Sequence, residues 1–292
     1  MMKKTAILVT VYNRKDTTIK GLEKLKHAIT QMDAQKFLFD IFLVDDGSTD
    51  GTYESVNSQF PEVHLYKGDG NLYWVHGMQM AWQKAVETDD YDYYLWYNDD
   101  NDLYKNALVS LYESSEKNRN SVICGAFRYQ DGRPSFCGRN SQGNALEPNG
   151  QCQEIIRMHG NLVLVPQEIF KSVGMFDPFF KHNLGDFDYG FMVRKAGFSV
   201  LLTPAYIGVN NHHDDELLNH LKELPFKKRW AMTHTPKHHP KYSYHFHKKH
   251  FGRVIALKDY INQYLFVLFP SYLDLLLHLR AKNIKWLKPL IG

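Results

Sequence analysis

Phe39-Asp40-Ile41-Phe42-Leu43-Val44-Asp45-Asp46-Gly47-Ser48-Thr49-Asp50-Gly51-Thr52 is the stretch on which the fold turns. Its apolar part, Phe39–Val44, predicts a buried strand that stops at two aspartates and a glycine. Ser48, Thr49 and Asp50 then offer helix caps ahead of Tyr53 and Val56. The same alternation extends both ways. Upstream, Ala6–Thr10 reads as a strand, and after the polar turn Tyr12–Asp16 the residues Ile19, Leu22, Leu25, Ile29 and Met32 recur at helical spacing. Downstream, Val63–Tyr66 predicts a strand and Gly77–Val86 a helix. Tyr93–Tyr97 predicts a strand ending at Asn98-Asp99-Asp100-Asn101-Asp102, and Ala107, Leu108 and Leu111 a further helix. Strands alternating with helices make β-α-β units, so an α/β fold with a mostly parallel central sheet flanked by helices is expected. Ligands of such sheets bind beyond the carboxyl ends of the strands, where both aspartate pairs fall.

Further on, residues 129–154, rich in Gly, Asn, Gln and Ser, read as a loop or irregular hairpin, Leu162–Val165 is apolar, and Ser199–Leu202 predicts a late strand. From about Asn210 the composition shifts to His, Lys and aromatics, which places the end of the core fold near Pro204–Asn211. At 292 residues with 43% apolar content the chain can bury a sizeable core, and one large domain with an appended piece suits that length. The net charge of +3 conceals a basic last third. Cys124, Cys137 and Cys152 cannot all pair and lack C-x-x-C spacing, which points to a reducing compartment and away from a disulfide scaffold or zinc ribbon. The apolar run Ala6–Val11 reaches Tyr12, Asn13 and Arg14 too soon for a signal peptide, so a cytoplasmic location is expected. The longest apolar region, Tyr260–Leu279, is broken by Asn262, Gln263, Pro270, Asp274 and His278, short of the roughly 20 clean residues a bilayer span needs.

Two clusters carry chemistry. Carboxylates crowded at Asp99-Asp100 repel one another unless a cation neutralises them, and a hard divalent ion that also bridges a diphosphate would do so; an acidic turn solvated by water is the plainer alternative. At Asp45-Asp46-Gly47-Ser48 a carboxylate can accept a hydrogen bond from a base or ribose, while glycine lets backbone approach a ligand. Neither a G-x-x-x-x-G-K-[ST] loop nor a G-x-G-x-x-G fingerprint is present, which disfavours an ATPase or a dinucleotide enzyme.

The run Ile7–Arg14, the DDGSTDGT run Asp45–Thr52 and Asn98-Asp99-Asp100 resemble family 2 inverting glycosyltransferases of the GT-A fold. So do Gly174–Phe180, Gly185-Asp186-Phe187-Asp188-Tyr189 and Arg194–Phe198, in the expected order over about residues 5–205. The resemblance implies a catalytic domain over 1–210, with a nucleotide-sugar half (1–103) and an acceptor half (104–210), followed by a basic, helical extension over 211–292. It implies that Thr10, Tyr12 and Arg14 line the nucleotide pocket, with Asp46 near the base and Asp45 beside it. Asp99 would face the ribose or sugar, and Asp100 would be the principal ligand of Mn²⁺ or Mg²⁺. Asn98 stands where the family often has an aspartate. Gly68–Trp74 with His76-Gly77 resembles the family's donor-contacting loop, where Asn71 would reach a hydroxyl and Trp74 would pack on a sugar face or else belong to the core.

Asp186 is the candidate base that takes the acceptor's proton in an inverting transfer. Gly185 stands where the family usually has glutamate, and Asp188 reads as a helix cap rather than a base. His213, with His212 as the alternative, would complete the metal site, and His159-Gly160-Asn161 resembles the segment beneath the acceptor. In the tail, Leu257, Ile261, Leu265 and Leu268 among lysines fit either an interfacial helix or helices packed on the catalytic domain or a second subunit. The expected partners are a nucleotide sugar, UDP- or dTDP-linked, and the hydroxyl of a glycan or lipid-linked saccharide, in surface polysaccharide synthesis. A lipid surface on the inner face of the plasma membrane and a second copy of the chain are further expected partners, and no nucleic-acid module is recognised. Two rivals are a nucleotidyltransferase, disfavoured because Thr10–Asp16 is not a Gly-rich basic loop, and a non-catalytic sugar-nucleotide-binding subunit.

Overall fold

A computed structural model describes residues 2–210, 220 and 222–272. The chain forms two compact units. One comprises the residues up to Pro178 and those from Gly185 through the last strand; the other joins Phe179–Leu184 to the described residues from His220 on.

In the first unit, β1 (Lys3–Val11), β2 (Phe37–Asp45), β3 (His64–Lys67) and β4 (Tyr93–Tyr97) pair in parallel, in the order β3-β2-β1-β4. Ala6, Ile7, Leu8 and Val9 have no exposed surface, as expected of a strand covered on both faces. Beyond β4 the sheet is mixed. β8 (Leu162–Pro166) runs antiparallel between β4 and β6 (Ser121–Tyr129), and β9 (Ser199–Asn210) pairs in parallel with β6. The short β5 (Asn101–Leu103) and β7 (Gln153–Glu154) pair antiparallel with β9. Near Ala126 the β6–β9 register slips, and Thr203 Oγ1 accepts the Ala126 N–H that the slip strands.

Helices α1 (Lys15–Ile29), α2 (Thr52–Gln59) and α4 (Ala107–Lys117) belong to one buried core, in which Leu22, Leu25, Val56, Leu108 and Leu111 meet Ile7, Val9, Leu43, Leu95 and Tyr97. On the opposite face, α3 (Tyr73–Thr88), α5 (Gln167–Val173) and α6 (Gly185–Lys195) enclose an aromatic cluster. Trp82 lies 5.3 Å from Tyr94, 5.8 Å from Trp96 and 5.7 Å from Tyr189. Alternation along β4 explains the division: Leu95 and Tyr97 serve the aliphatic core, Tyr94 and Trp96 the aromatic one.

The second unit holds α7 (Phe226–Thr233), α8 (Pro240–Phe251) and α9 (Arg253–Leu268). Pro240 opens α8, where its missing N–H costs nothing, and Gly252, at φ 93°, separates α8 from α9. Asp259 on α9 accepts from Ser243 Oγ at 2.5 Å and Gln263 Nε2 at 2.6 Å, and lies 3.4 Å from His247 Nδ1. Arg229 Nε donates to the Val267 carbonyl at 2.9 Å. Phe179 stacks on His245 at 4.0 Å, and Asn183 donates to the Lys237 carbonyl at 2.7 Å. No helix among the described residues is long and apolar enough to cross a membrane.

Candidate active site

The carboxyl ends of β1, β2 and β4 converge, and their loops are sewn into one surface. Asn13, at φ 46°, donates its N–H to Ser48 Oγ at 2.8 Å and accepts from Thr49 N–H at 2.7 Å, while Asp50 accepts from Lys15 N–H at 2.9 Å. Tyr12 stands on this surface with its ring exposed. Thr10, at the end of β1, abuts Gly77 of α3 so closely that a methyl group on Gly77 would overlap Thr10 Oγ1.

The two aspartates at the end of β2 have separate tasks. Asp46 was expected near the base, but both its oxygens are engaged by backbone: Oδ1 accepts from Gly70 N–H and Oδ2 from Tyr73 N–H, each at 2.9 Å. It therefore acts as a long-range cap that starts α3 and holds Tyr73 at φ 57°. Asp45 is fully buried; Oδ1 accepts from Ser48 N–H at 2.9 Å, and Oδ2 has no hydrogen-bond partner. A buried carboxylate oxygen left bare is costly, and a ligand N–H or O–H would satisfy it. Asn71 is exposed in the Gly68–Leu72 loop, its N–H held by Asp69 Oδ1 at 2.9 Å.

Asp99 also departs from expectation. Instead of facing the crevice it is buried, accepting from Thr18 Oγ1 at 2.6 Å and Arg14 Nη1 at 3.0 Å. Burial pushes its carboxyl up, and the Arg14 guanidinium opposes that. Tyr97 donates to the Gly21 carbonyl at 2.9 Å, so α1 is fastened to the carboxylate turn by side chains on both sides of it. Asp100 is the partly exposed member, 3.5 Å from Arg14 Nη1.

Asn98 explains its own departure from aspartate. Its Oδ1 accepts from Trp74 Nε1 at 2.8 Å while its Nδ2 donates to Asn161 Oδ1 at 2.9 Å, and only an amide can do both. Trp74 lies in the first turn of α3 rather than in a free loop, 5.4 Å from Phe176 and 6.2 Å from Trp96. Its ring fills the space where Gly160 would carry a Cβ. Gly160 N–H in turn donates to Asp186 Oδ2 at 2.9 Å, and Phe187 N–H donates to Oδ1 at 2.8 Å. Burial pushes the Asp186 carboxyl up to about 6, against those two hydrogen bonds. His159, edge-on to Phe136 at 5.1 Å and Phe187 at 5.5 Å, is lowered to about 4 by burial and stays neutral. Asp188 is fully buried in the first turn of α6.

Thr18 is the residue that sequence reasoning does not name, and nothing marks it. The sequence shows Asn98 as the departure from aspartate and Gly160 and Asn161 as part of the segment beneath the acceptor, but not the contacts that join them to Trp74 and Asp186. His213 and His212 lie outside the described residues. Among the described residues no group of three His, Cys, Asp or Glu is placed to hold a metal ion. Asp100 is thus one carboxylate beside a cation, a donor set that fits Mn²⁺ or Mg²⁺ when diphosphate oxygens and water supply the other positions.

The glycosyl transferase family 2 model matches residues 6–181. The chain belongs to that family. Among solved structures, the chain is similar to GalNAc-T7 with UDP, GalNAc and Mn²⁺ (TM-score 0.56, 13% identity, 73% of this chain and 44% of that one). It is similar to the mannosyltransferase PcManGT of Pyrobaculum calidifontis with GDP-Man and Mn²⁺ (TM-score 0.56, 15% identity, 98% and 82%). It is also similar to S. aureus TarS 1-349 with UDP-GlcNAc (TM-score 0.53, 13% identity, 90% and 73%). The chain therefore spans less than half the length of GalNAc-T7, and at these identities the likeness is one of fold, the GT-A fold. Its sequence has no significant match among curated proteins.

Proposed function

We propose that this family 2 glycosyltransferase moves a sugar from a nucleoside diphosphate sugar to a hydroxyl of a saccharide acceptor, with inversion at the anomeric carbon. The observation that carries the reading is the bridge made by Trp74. One edge of its indole is held by Asn98, next to the Asp99-Asp100 turn, and its ring abuts Gly160, whose N–H orients Asp186. A single side chain thus sets the spacing between a diphosphate-side carboxylate and a candidate base.

In this reading Tyr12 stacks on the base, Asp45 Oδ2 accepts a base N–H, and Arg14 and Asp100 face the diphosphate. Bound Mn²⁺ or Mg²⁺, held by Asp100, would offset the charge of the leaving diphosphate. Asp186 takes the proton of the acceptor hydroxyl as its oxygen bonds to the anomeric carbon, and the electron pair of the breaking C–O bond leaves with the nucleoside diphosphate. A carboxyl near about 6 is ionised at neutral pH yet more basic than an exposed aspartate, which suits that task. The acceptor is expected to be a surface glycan or lipid-linked saccharide.

The test is a thermal-shift screen of UDP-, dTDP- and GDP-linked sugars with Mn²⁺, followed by turnover assays of Asp186→Asn on the sugar that stabilises. Stabilisation with turnover in the parent and none in the variant is the expected outcome. Stabilisation without hydrolysis or transfer in the parent would identify a binding subunit instead, and full turnover in the variant would remove Asp186 from the reaction.

A further inference from the structure

Helix α9 is apolar on two sides. One side, with Ala256 and Val267, is buried in the helical unit. On the other, Val254 (71% exposed), Leu257 (53%), Ile261 (48%) and Leu268 (43%) recur at helical spacing, and Phe269 (63%) follows at the end of the helix. Scattered exposed apolar residues need no explanation, but an outward stripe four turns long does. The stripe continues onto α7. Tyr264 of α9 lies 5.8 Å from Trp230, which is 5.9 Å from Phe226, and both α7 rings are exposed.

Charge identifies what covers this face. The described residues from His220 on contain ten lysines and arginines and two acids, of which Glu223 is engaged by His220 and Asp259 by Ser243, His247 and Gln263. Arg253 and Lys258 are exposed on α9 itself, Lys227 is exposed on α7 and Lys248 on α8. A protein partner burying an apolar stripe flanked by Arg253, Lys258, Lys227 and Lys248 would have to be itself acidic. A second copy of this face would bring like charges together. Anionic lipid headgroups neutralise the cations while the acyl boundary takes up the aliphatic and aromatic side chains, with Trp at the level of the headgroups.

We propose that the face formed by α7 and α9 docks on an anionic lipid surface, with Val254, Leu257, Ile261, Leu268, Phe226 and Trp230 entering the headgroup boundary. The docking does not depend on the transfer reaction and is tested apart from it. The full chain is sedimented with phosphatidylcholine vesicles and with vesicles that also contain phosphatidylglycerol. Binding is expected only to the second kind and should weaken as salt is raised. Leu257→Glu/Ile261→Glu should lower that binding at least ~tenfold without changing the melting temperature, because both side chains are already exposed. Arg253→Glu/Lys258→Glu should abolish the preference for the anionic vesicles. Ile261→Cys should react with a water-soluble maleimide in solution and be protected by phosphatidylglycerol vesicles.

Indifference of the parent chain to phosphatidylglycerol would overturn the proposal, as would paired-glutamate variants that bind like the parent. An Ile261→Cys thiol already protected in the absence of vesicles, or a dimer that the Leu257 and Ile261 substitutions dissociate while lipid is ignored, would do the same and assign the face to protein instead.

Discussion

With its carboxyl pushed up to about 6 by burial, Asp186 is protonated in acid and ionised at neutral pH, and that has consequences for rate and stability with opposite signs. If the ionised form is the base, kcat/KM rises with pH up to about 6 and then levels. Asp186→Asn should lose that limb and ~10³-fold in rate, with donor-induced thermal stabilisation retained. For folding, the native pKa lies above that of the unfolded chain, so the contribution is present below ordinary aspartate values and lost as pH rises through about 6. The Asn variant, which never ionises but whose Nδ2 cannot accept the Gly160 or Phe187 N–H, should therefore melt lower than the parent at pH 4 and regain ground on it at pH 8. Melting curves at the two pH values check this. Arg14 gives a second test, because it is the cation beside buried Asp99. Arg14→Ala should cost ~1–3 kcal/mol in urea unfolding, the partial exposure of the Arg14 side chain tempering a penalty that is larger for wholly buried pairs. Adding Asp99→Asn should recover part of the loss, since the stranded charge is then gone.

At the scale of elements, α3 controls the geometry of the site. It is started by Asp46, 27 residues upstream of Tyr73, pressed against β1 at Gly77, and tied to the carboxylate turn by Trp74. Gly77→Ala should destabilise by ~1–3 kcal/mol, because the added methyl meets the Thr10 side chain in a packed interface. Thr10→Ala removes the closest contact, at Oγ1, but keeps a Cβ 2.9 Å from the added methyl, so it should restore part of the loss in the double variant, a rescue that a general helix effect would not give, since alanine is otherwise the better helix former. The same helix marks how far the sequence could be read. Tyr93–Tyr97 was legible to the residue, and β1 and β2 to within a few residues, because a buried strand writes itself as a continuous apolar run. The start of α3 was not, because its cap is a side chain from another loop and Tyr73 enters with a positive φ that no local signal announces. The antiparallel course of β8 was hidden for a related reason: an apolar run has no direction. Asp45 and Asp46, adjacent and chemically identical, differ only in which backbone amides the fold brings to them. That is why their roles could not be told apart from the sequence.

At the scale of the whole molecule, the crevice binds its ligands as a linked set. Asp100 stands beside Arg14, Asp99 is turned inward, and no third carboxylate or histidine among the described residues joins them. One carboxylate next to a guanidinium is a poor site for a bare divalent ion, since the nearby positive charge opposes it. A diphosphate beside the same Arg14 reverses that balance by adding several oxygen ligands and negative charge at once. Ligands that bind the native state stabilise it in proportion to their occupancy, so the linkage is readable in the melting temperature of the full chain. Mn²⁺ alone should move the melting temperature little, and a nucleoside diphosphate alone modestly. The two together should exceed the sum of their separate shifts, corresponding to a coupling of ~1–3 kcal/mol. Asp100→Asn should abolish the excess while leaving the shift from the nucleotide alone, because Asp45 and Tyr12 remain in place. Equal shifts with Mn²⁺ in the presence and absence of nucleotide would mean that the ion has a preformed site elsewhere, and Asp100 would lose its place as the principal ligand.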